Sequence, residues 1–267
     1  MLRVGIVGCG TIAQRRHIPE FAANEHCKLT AFWSVTPGKA EKMAEKYGTP
    51  LYLMDEDKIR ANCRTYVNAM KKAFGSNSQV LYASKAASFK RMYEIMREED
   101  MGIDVVSCGE IATAMKAGFP LSNAFFHSNN KTDADIDFAI SNGIGYFVID
   151  SEEELCAIDE IAYKHNIIQK VMLRITPGID CHTYEEVATG KVDSKFGSAI
   201  VTKQAENITA LALSLKHVEL EGFHCHIGSQ IFEIEPFCQA ADIMLEFINE
   251  IRIACGYVPK YLNLGGG

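Results

Sequence analysis

Ten short runs rich in β-branched and aromatic residues alternate with longer amphipathic stretches, and this alternation limits the fold more than any other feature. The strand candidates are residues 3–7, 29–34, 50–54, 79–83, 103–107, 124–127, 146–150, 171–176, 220–226 and 261–264. Helical patterns occupy stretches such as 89–99, 151–165, 204–215 and 236–255. Strands separated by helices predict parallel pairing through crossover connections, an α/β fold. From Gln79 onward the units recur without a linker or low-complexity tract, as in a (β/α) barrel. Seven strands are expected in that part, where closure wants eight. The seventh runs into Gly265-Gly266-Gly267, and an open edge there would expose unpaired backbone groups.

Composition narrows the partners. Lys and Arg total 27 against 34 Asp and Glu, a net charge of −7, which argues against nucleic acid. No apolar run approaches the roughly 18–20 residues of a membrane span. Nine cysteines without paired spacing predict reduced thiols and a cytoplasmic protein rather than a disulfide framework. The start, Met1 to Gly8, reads as a strand running into glycine and lacks the pattern of a signal peptide.

Gly8-Cys9-Gly10-Thr11-Ile12-Ala13 is a G-x-G-x-x-A motif between a strand and a helical stretch. Gly8, Gly10 and Ala13 would permit a tight turn and close approach of backbone to a pyrophosphate. They would equally serve a strand-to-helix turn. Together with Arg16-His17-Ile18-Pro19 and Thr36-Pro37-Gly38-Lys39-Ala40, the segment 1–48 resembles the start of the Gfo/Idh/MocA oxidoreductases, which implies a Rossmann-like β-α-β fragment and NAD(P). An acid should close the second strand to hold the ribose, but Ser34 stands near that position and none occurs from His26 to Ala40.

Val80-Leu81-Tyr82-Ala83-Ser84-Lys85-Ala86 is a strand ending in a lysine, at the rim where such barrels do chemistry. Partial desolvation at a barrel mouth would suit Lys85 to Schiff-base formation. Polar and glycine clusters recur at the later strand ends: Asp104 to Glu110, His127 to Thr132, Arg174 to Gly178, His224 to Ser229, and Gly265 to Gly267. Asp104 and Glu110 read as solvated acids or as groups ordering the lysine and a histidine. Arg174 reads as an ion-pair partner or a cofactor contact. His224 and His226, two apart on a strand, share a face; a third metal ligand at recognisable spacing is missing, so no metal is expected. Cys225 points the other way, into packing.

These clusters, with Tyr47-Gly48-Thr49-Pro50-Leu51-Tyr52, Asp193-Ser194-Lys195-Phe196-Gly197 and His224-Cys225-His226-Ile227-Gly228-Ser229-Gln230-Ile231-Phe232, resemble the fold-type III pyridoxal-phosphate decarboxylases, and among them those acting on diaminopimelate. The resemblance covers about residues 48–267. It implies an incomplete pyridoxal-phosphate-binding (β/α) barrel of the alanine racemase-like type, residues 49–267, after a Rossmann-like fragment, 1–48. It implies that Lys85 carries the cofactor, that His226 stacks on its ring, and that Ser229, Gly265, Gly266 and Gly267 bind its phosphate, with Asp104 and Arg174 beside it. The implied reaction is decarboxylation of an amino acid, meso-diaminopimelate to L-lysine. The implied partners are that small molecule and, by family habit, a second copy in a homodimer. The ring-nitrogen carboxylate, proton-donor Cys and cofactor-contacting Tyr of the family follow the glycine triplet, so impaired turnover is expected of this chain. An oxidoreductase fragment and a non-catalytic binding remnant are the alternatives.

Overall fold

A computed structural model describes residues 2–6, 27–32, 54–179 and 196–266. They fall into two units divided between Ala69 and Met70. In the first, β1 (Leu2–Ile6) and β2 (Cys27–Phe32) pair in parallel, with a register shift between Val4 and Gly5. Parallel pairing needs a crossover, as a β-α-β fragment does. Gly8, Gly10 and Ala13 lie outside the described residues, as do the segments 47–52 and 180–195. Of the strand expected at 50–54 only Met54 is described, and it is not in a strand. Helix α1 (Glu56–Phe74) opens with two acids and closes with two lysines, which complements its dipole.

The second unit contains all seven strands expected from Gln79 onward. They are β3 (Leu81–Ala83), β4 (Gly102–Val105), β5 (Ala124–Phe126), β6 (Tyr146–Ile149), β7 (Gln169–Thr176), β9 (Val218–His224) and β10 (Tyr261–Asn263). Every pair is parallel and the order follows the chain, β3-β4-β5-β6-β7-β9-β10. A further short strand, β8 (Ser198–Ala199), pairs with the end of β7 and was not expected. The helices between are α2 (Lys90–Glu98), α3 (Cys108–Lys116), α4 (Asp133–Ser141), α5 (Glu152–Lys164), α6 (Gln204–Ser214) and α7 (Glu235–Cys255). None of the described helices is long and apolar enough to cross a membrane.

Successive strand residues alternate between two faces, and the register aligns those faces from strand to strand. One face carries Ile103, Val105, Phe126, Phe147, Ile149, Val171, Leu173 and Phe223, nearly all without exposed surface. Burial of each such side chain stabilises by about 1.5–3 kcal/mol, so this layer fixes the register. The other face holds Phe125, Val148 and Met172 in contact at mid-height. Below them Tyr146 stacks on Phe125 at 4.3 Å. Above them, at the C-terminal strand ends, this face turns polar with Asp104, His127, Asp150, Arg174 and His224.

Three of the helices begin with the same device. Ser107, Thr132 and Ser151 cap α3, α4 and α5, each accepting a backbone N–H three residues on. The acids at those third positions reach back: Glu110 accepts from Val106 N, Asp135 from Thr132 N and Glu154 from Asp150 N. Each cap satisfies orphan donors and sets where the preceding strand end points.

Candidate active site

Lys85 sits on a one-turn 3-10 segment, Ser84–Ala86, directly after β3. Its neighbour Ser84 is fully buried and lies against Tyr93 of α2. Lys85 itself is exposed, which corrects the expectation of partial desolvation. Its charge nevertheless acts on Asp104, Glu110 and His226, which places it beside these strand ends.

Asp104 projects from β4 on the same face. Its side chain keeps 26% of its surface, yet Oδ1 is enclosed without a partner. Burial pushes this carboxyl up to about 8; Lys85 opposes the shift and Glu110 adds to it. Asp104 is therefore largely protonated at neutral pH and able to donate from the carboxyl. Glu110 is also raised by burial, against the Val106 N–H and Lys85.

His127 follows β5, with its Nε2 3.5 Å from Asp104 Oδ2. Its ring meets that of His224 edge to face, centroids 4.5 Å apart. Both imidazoles are buried and held well below the ordinary histidine range, first by burial and then by surrounding cations. His127 Nε2 and His224 Nδ1 lack hydrogen-bond partners. His226 is half-buried and pushed down to about 4 by burial, with Arg174 and Lys85 adding to the effect. Cys225 lies between the two histidines in sequence, buried, its thiol pushed up to about 12.

Arg174, near the end of β7, lies over the Phe196 ring at 4.4 Å and 3.7 Å from Asp150 Oδ1. That carboxylate also accepts from Gly197 N at 3.1 Å. Phe196 and Gly197 are the described part of the Asp193-to-Gly197 motif, and these two residues hold Arg174 and Asp150 in place.

Asn263, the last residue of β10, turns the chain: its side chain accepts from Gly265 N at 2.8 Å. Gly266 N then donates to His226 Nδ1 at 3.4 Å. Gly265 has φ +74°, and a Cβ there would lie 2.6 Å from Cys225 O and 2.9 Å from His226 Nδ1. A Cβ on Gly266 would meet nothing within 4 Å. Ser229 is half-buried in the loop after β9, where Gly228 and Gln230 have positive φ. Gly267 lies outside the described residues.

The structure thus brings Lys85, Asp104, Arg174 and His226 to one rim and sets Gly265 and Gly266 against His226. The same rim includes His127, Lys131, Asp150 and Glu154, to which sequence reasoning assigned no role. No cluster of three potential metal ligands occurs among the described residues. A small surface cavity lined by Gln79, Arg97, Asp100 and Phe119 opens at the opposite end of the strands, away from these groups.

A sequence model of the pyridoxal binding domain of pyridoxal-dependent decarboxylases matches residues 57–267. The chain belongs to that family. Diaminopimelate decarboxylase from Bacillus methanolicus is 44% identical over 226 residues, 85% of this chain and 52% of that protein. The Bacillus subtilis enzyme is 41% identical over 84% of this chain. Among solved structures, diaminopimelate decarboxylase from M. jannaschii superposes with TM-score 0.77 at 33% identity, covering 85% of this chain and 53% of that one. The Helicobacter pylori enzyme, complexed with L-lysine, gives 0.75 at 30% identity, covering 85% and 56%. The chain spans about half the length of the relatives it matches. An oxidoreductase family model, the NAD-binding Rossmann fold, matches residues 2–107.

The cofactor of this pyridoxal-dependent decarboxylase domain is pyridoxal phosphate, and the residues present fit it. Buried polar atoms require partners, and Asp104 Oδ1, His127 Nε2 and His224 Nδ1 offer three without one at this rim. Gly266 has open space where a side chain would stand, so its backbone can be approached closely, as phosphate recognition requires.

Proposed function

We propose that this chain is the cofactor-binding part of a pyridoxal-phosphate-dependent carboxy-lyase that converts meso-diaminopimelate to L-lysine. The observation that carries the reading is the gathering of Lys85, Asp104, Arg174 and His226 around one strand-end mouth, with Gly266 donating to His226. In this reading Lys85 holds the cofactor covalently and His226 lies against its ring. Ser229, Gly265, Gly266 and Gly267 bind its phosphate. Bound there, pyridoxal phosphate supplies the electron sink for the pair left behind by a departing carboxylate.

The chain's own groups do the rest. Arg174, fixed by Asp150 and Phe196, provides a permanent positive charge beside the mouth. Asp104 holds a proton on its carboxyl within the range of Lys85, where it can donate to a neighbouring acceptor. Neutral His127 and His224 wall the interior with imidazole nitrogens that carry no charge at pH 7. The apolar layer of Phe125, Val148 and Met172 closes the mouth from below and excludes water there.

The seam between the two resemblances falls within 44–48 in this proposal, and the protein is cytoplasmic. A homodimer is the assembly the family suggests. The oxidoreductase match over 2–107 favours a second reading, dinucleotide binding by the N-terminal segment.

Adding pyridoxal phosphate to the purified chain tests the proposal. The expected result is an absorbance band near the visible edge that is missing in Lys85→Ala. No band, or the same band in the variant, sinks the cofactor assignment. Release of L-lysine and CO2 from meso-diaminopimelate is assayed on the same sample, and a parallel NADPH titration reads the second possibility.

A further inference from the structure

Lys131 is a cation with no exposed side-chain surface, in the loop after β5. All three of its ammonium hydrogens are committed. Nζ donates to Ser128 O at 2.8 Å, to Val148 O at 2.9 Å and to Glu154 Oε1 at 2.6 Å. These acceptors belong to three places: the loop that follows His127, the end of β6, and the first turn of α5. The other Glu154 oxygen accepts from Asp150 N at 3.1 Å. Asp150 in turn holds Arg174 and Gly197 through Oδ1. A continuous chain of polar contacts therefore runs from Lys131 through Glu154 and Asp150 to Arg174.

We propose that Lys131 is a positioning residue for the cofactor site, placing Arg174 through Glu154 and Asp150, and His127 through the loop it clamps. The inference rests on the cofactor assignment above. Lys131 is sealed from solvent, so it acts through other residues. The loop it clamps carries Ser128 at φ 143°, a conformation that L residues rarely adopt and that persists only where the surroundings hold it. The turn it clamps carries Asp150 between a strand end and a helix cap, so loosening Val148 O or Glu154 moves the carboxylate that orients Arg174. Burial pushes the ammonium down and the Glu154 carboxyl up, and each partner opposes the shift in the other. The pair therefore holds as ions only while both are in place.

Equilibrium titration with pyridoxal phosphate, followed by absorbance, tests the inference on the full chain. Lys131→Met keeps length and removes the donor, and Glu154→Gln is a milder second variant should the first not fold. Each is compared with wild type, with Arg174→Ala, and with the corresponding double variant. Ile251→Ala, in the buried face of α7, serves as a control for general destabilisation. The expected result is cofactor binding about tenfold weaker in Lys131→Met, with most of that loss absent when Arg174 is already alanine. A smaller loss with the same coupling is expected of Glu154→Gln. Unchanged affinity, a loss fully additive with Arg174→Ala, or an equal loss in Ile251→Ala overturns the positioning role. Absence of binding in wild type overturns the cofactor assignment itself, and this inference with it.

Discussion

Gly265 lies so close to Cys225 that a Cβ on the glycine would stand 2.6 Å from the cysteine's carbonyl oxygen. A Cβ on its neighbour Gly266 would meet nothing within 4 Å. The two glycines therefore answer different requirements, one set by the fold and the other by what approaches it.

Substituting alanine at the two positions separates those requirements. Gly265→Ala meets both a left-handed backbone, φ +74°, and the collision with Cys225. The left-handed conformation alone costs about 1–2 kcal/mol for a residue with a Cβ. Chemical denaturation is expected to show at least that loss. Gly266→Ala is expected to leave stability within about 0.5 kcal/mol while weakening pyridoxal-phosphate binding. Equal destabilisation by both, or full cofactor affinity in Gly266→Ala, would contradict this division of labour.

Asp104 makes stability depend on pH in a definite direction. Its folded carboxyl is raised to about 8, while an unfolded aspartate titrates near 3.9. The folded state keeps the proton longer, so the stabilising contribution is complete below about pH 4 and is lost as pH rises through 8. Asp104→Asn carries the neutral form at every pH. The variant is expected to gain on wild type between about pH 5 and 8, reaching on the order of a few kcal/mol, and to hold that lead above it. Urea unfolding at several pH values measures the gap. Parallel pH profiles for the two proteins would show that Asp104 does not titrate this way.

Much of the barrel is legible from the sequence because a buried parallel strand is a short apolar run bounded by polar or glycine residues. All seven runs from Gln79 onward became strands. The end expected at 107 fell back to Val105 because Ser107 leaves the ladder to cap α3. Strand β8 was invisible, since Ser198–Ala199 has no apolar pattern and exists only by pairing with Ile175 and Thr176. Lys85, Asp104, Arg174 and His226 stand out in the sequence because they fall at or just beyond strand ends, and the structure gathers them at one rim. Lys131 escaped because its role is a set of contacts with residues 17 and 23 positions away, which no local spacing reports. Glu154 did leave a trace: Ser151-x-x-Glu154 is a capping signature, and it marks the acid that turns back toward the strand end.

His224 gives a second pH dependence with the opposite sign. Its imidazole is buried, faces His127, Arg174 and His226, and is held well below the ordinary histidine value. An unfolded histidine binds its proton near pH 6.5, before the folded one does. The stabilising contribution is therefore complete above about pH 6.5 and is lost as pH falls toward the folded value. His224→Asn removes the titrating group while keeping a polar side chain. Its unfolding free energy is expected to fall less than that of wild type between pH 7 and 5. The comparison is best made in an Asp104→Asn background, because Asp104 pulls the other way over the same interval. If His224→Asn and its parent lose stability equally on acidification, the histidine is accommodating its proton inside the fold, and the uncharged wall assigned to it at this rim is wrong.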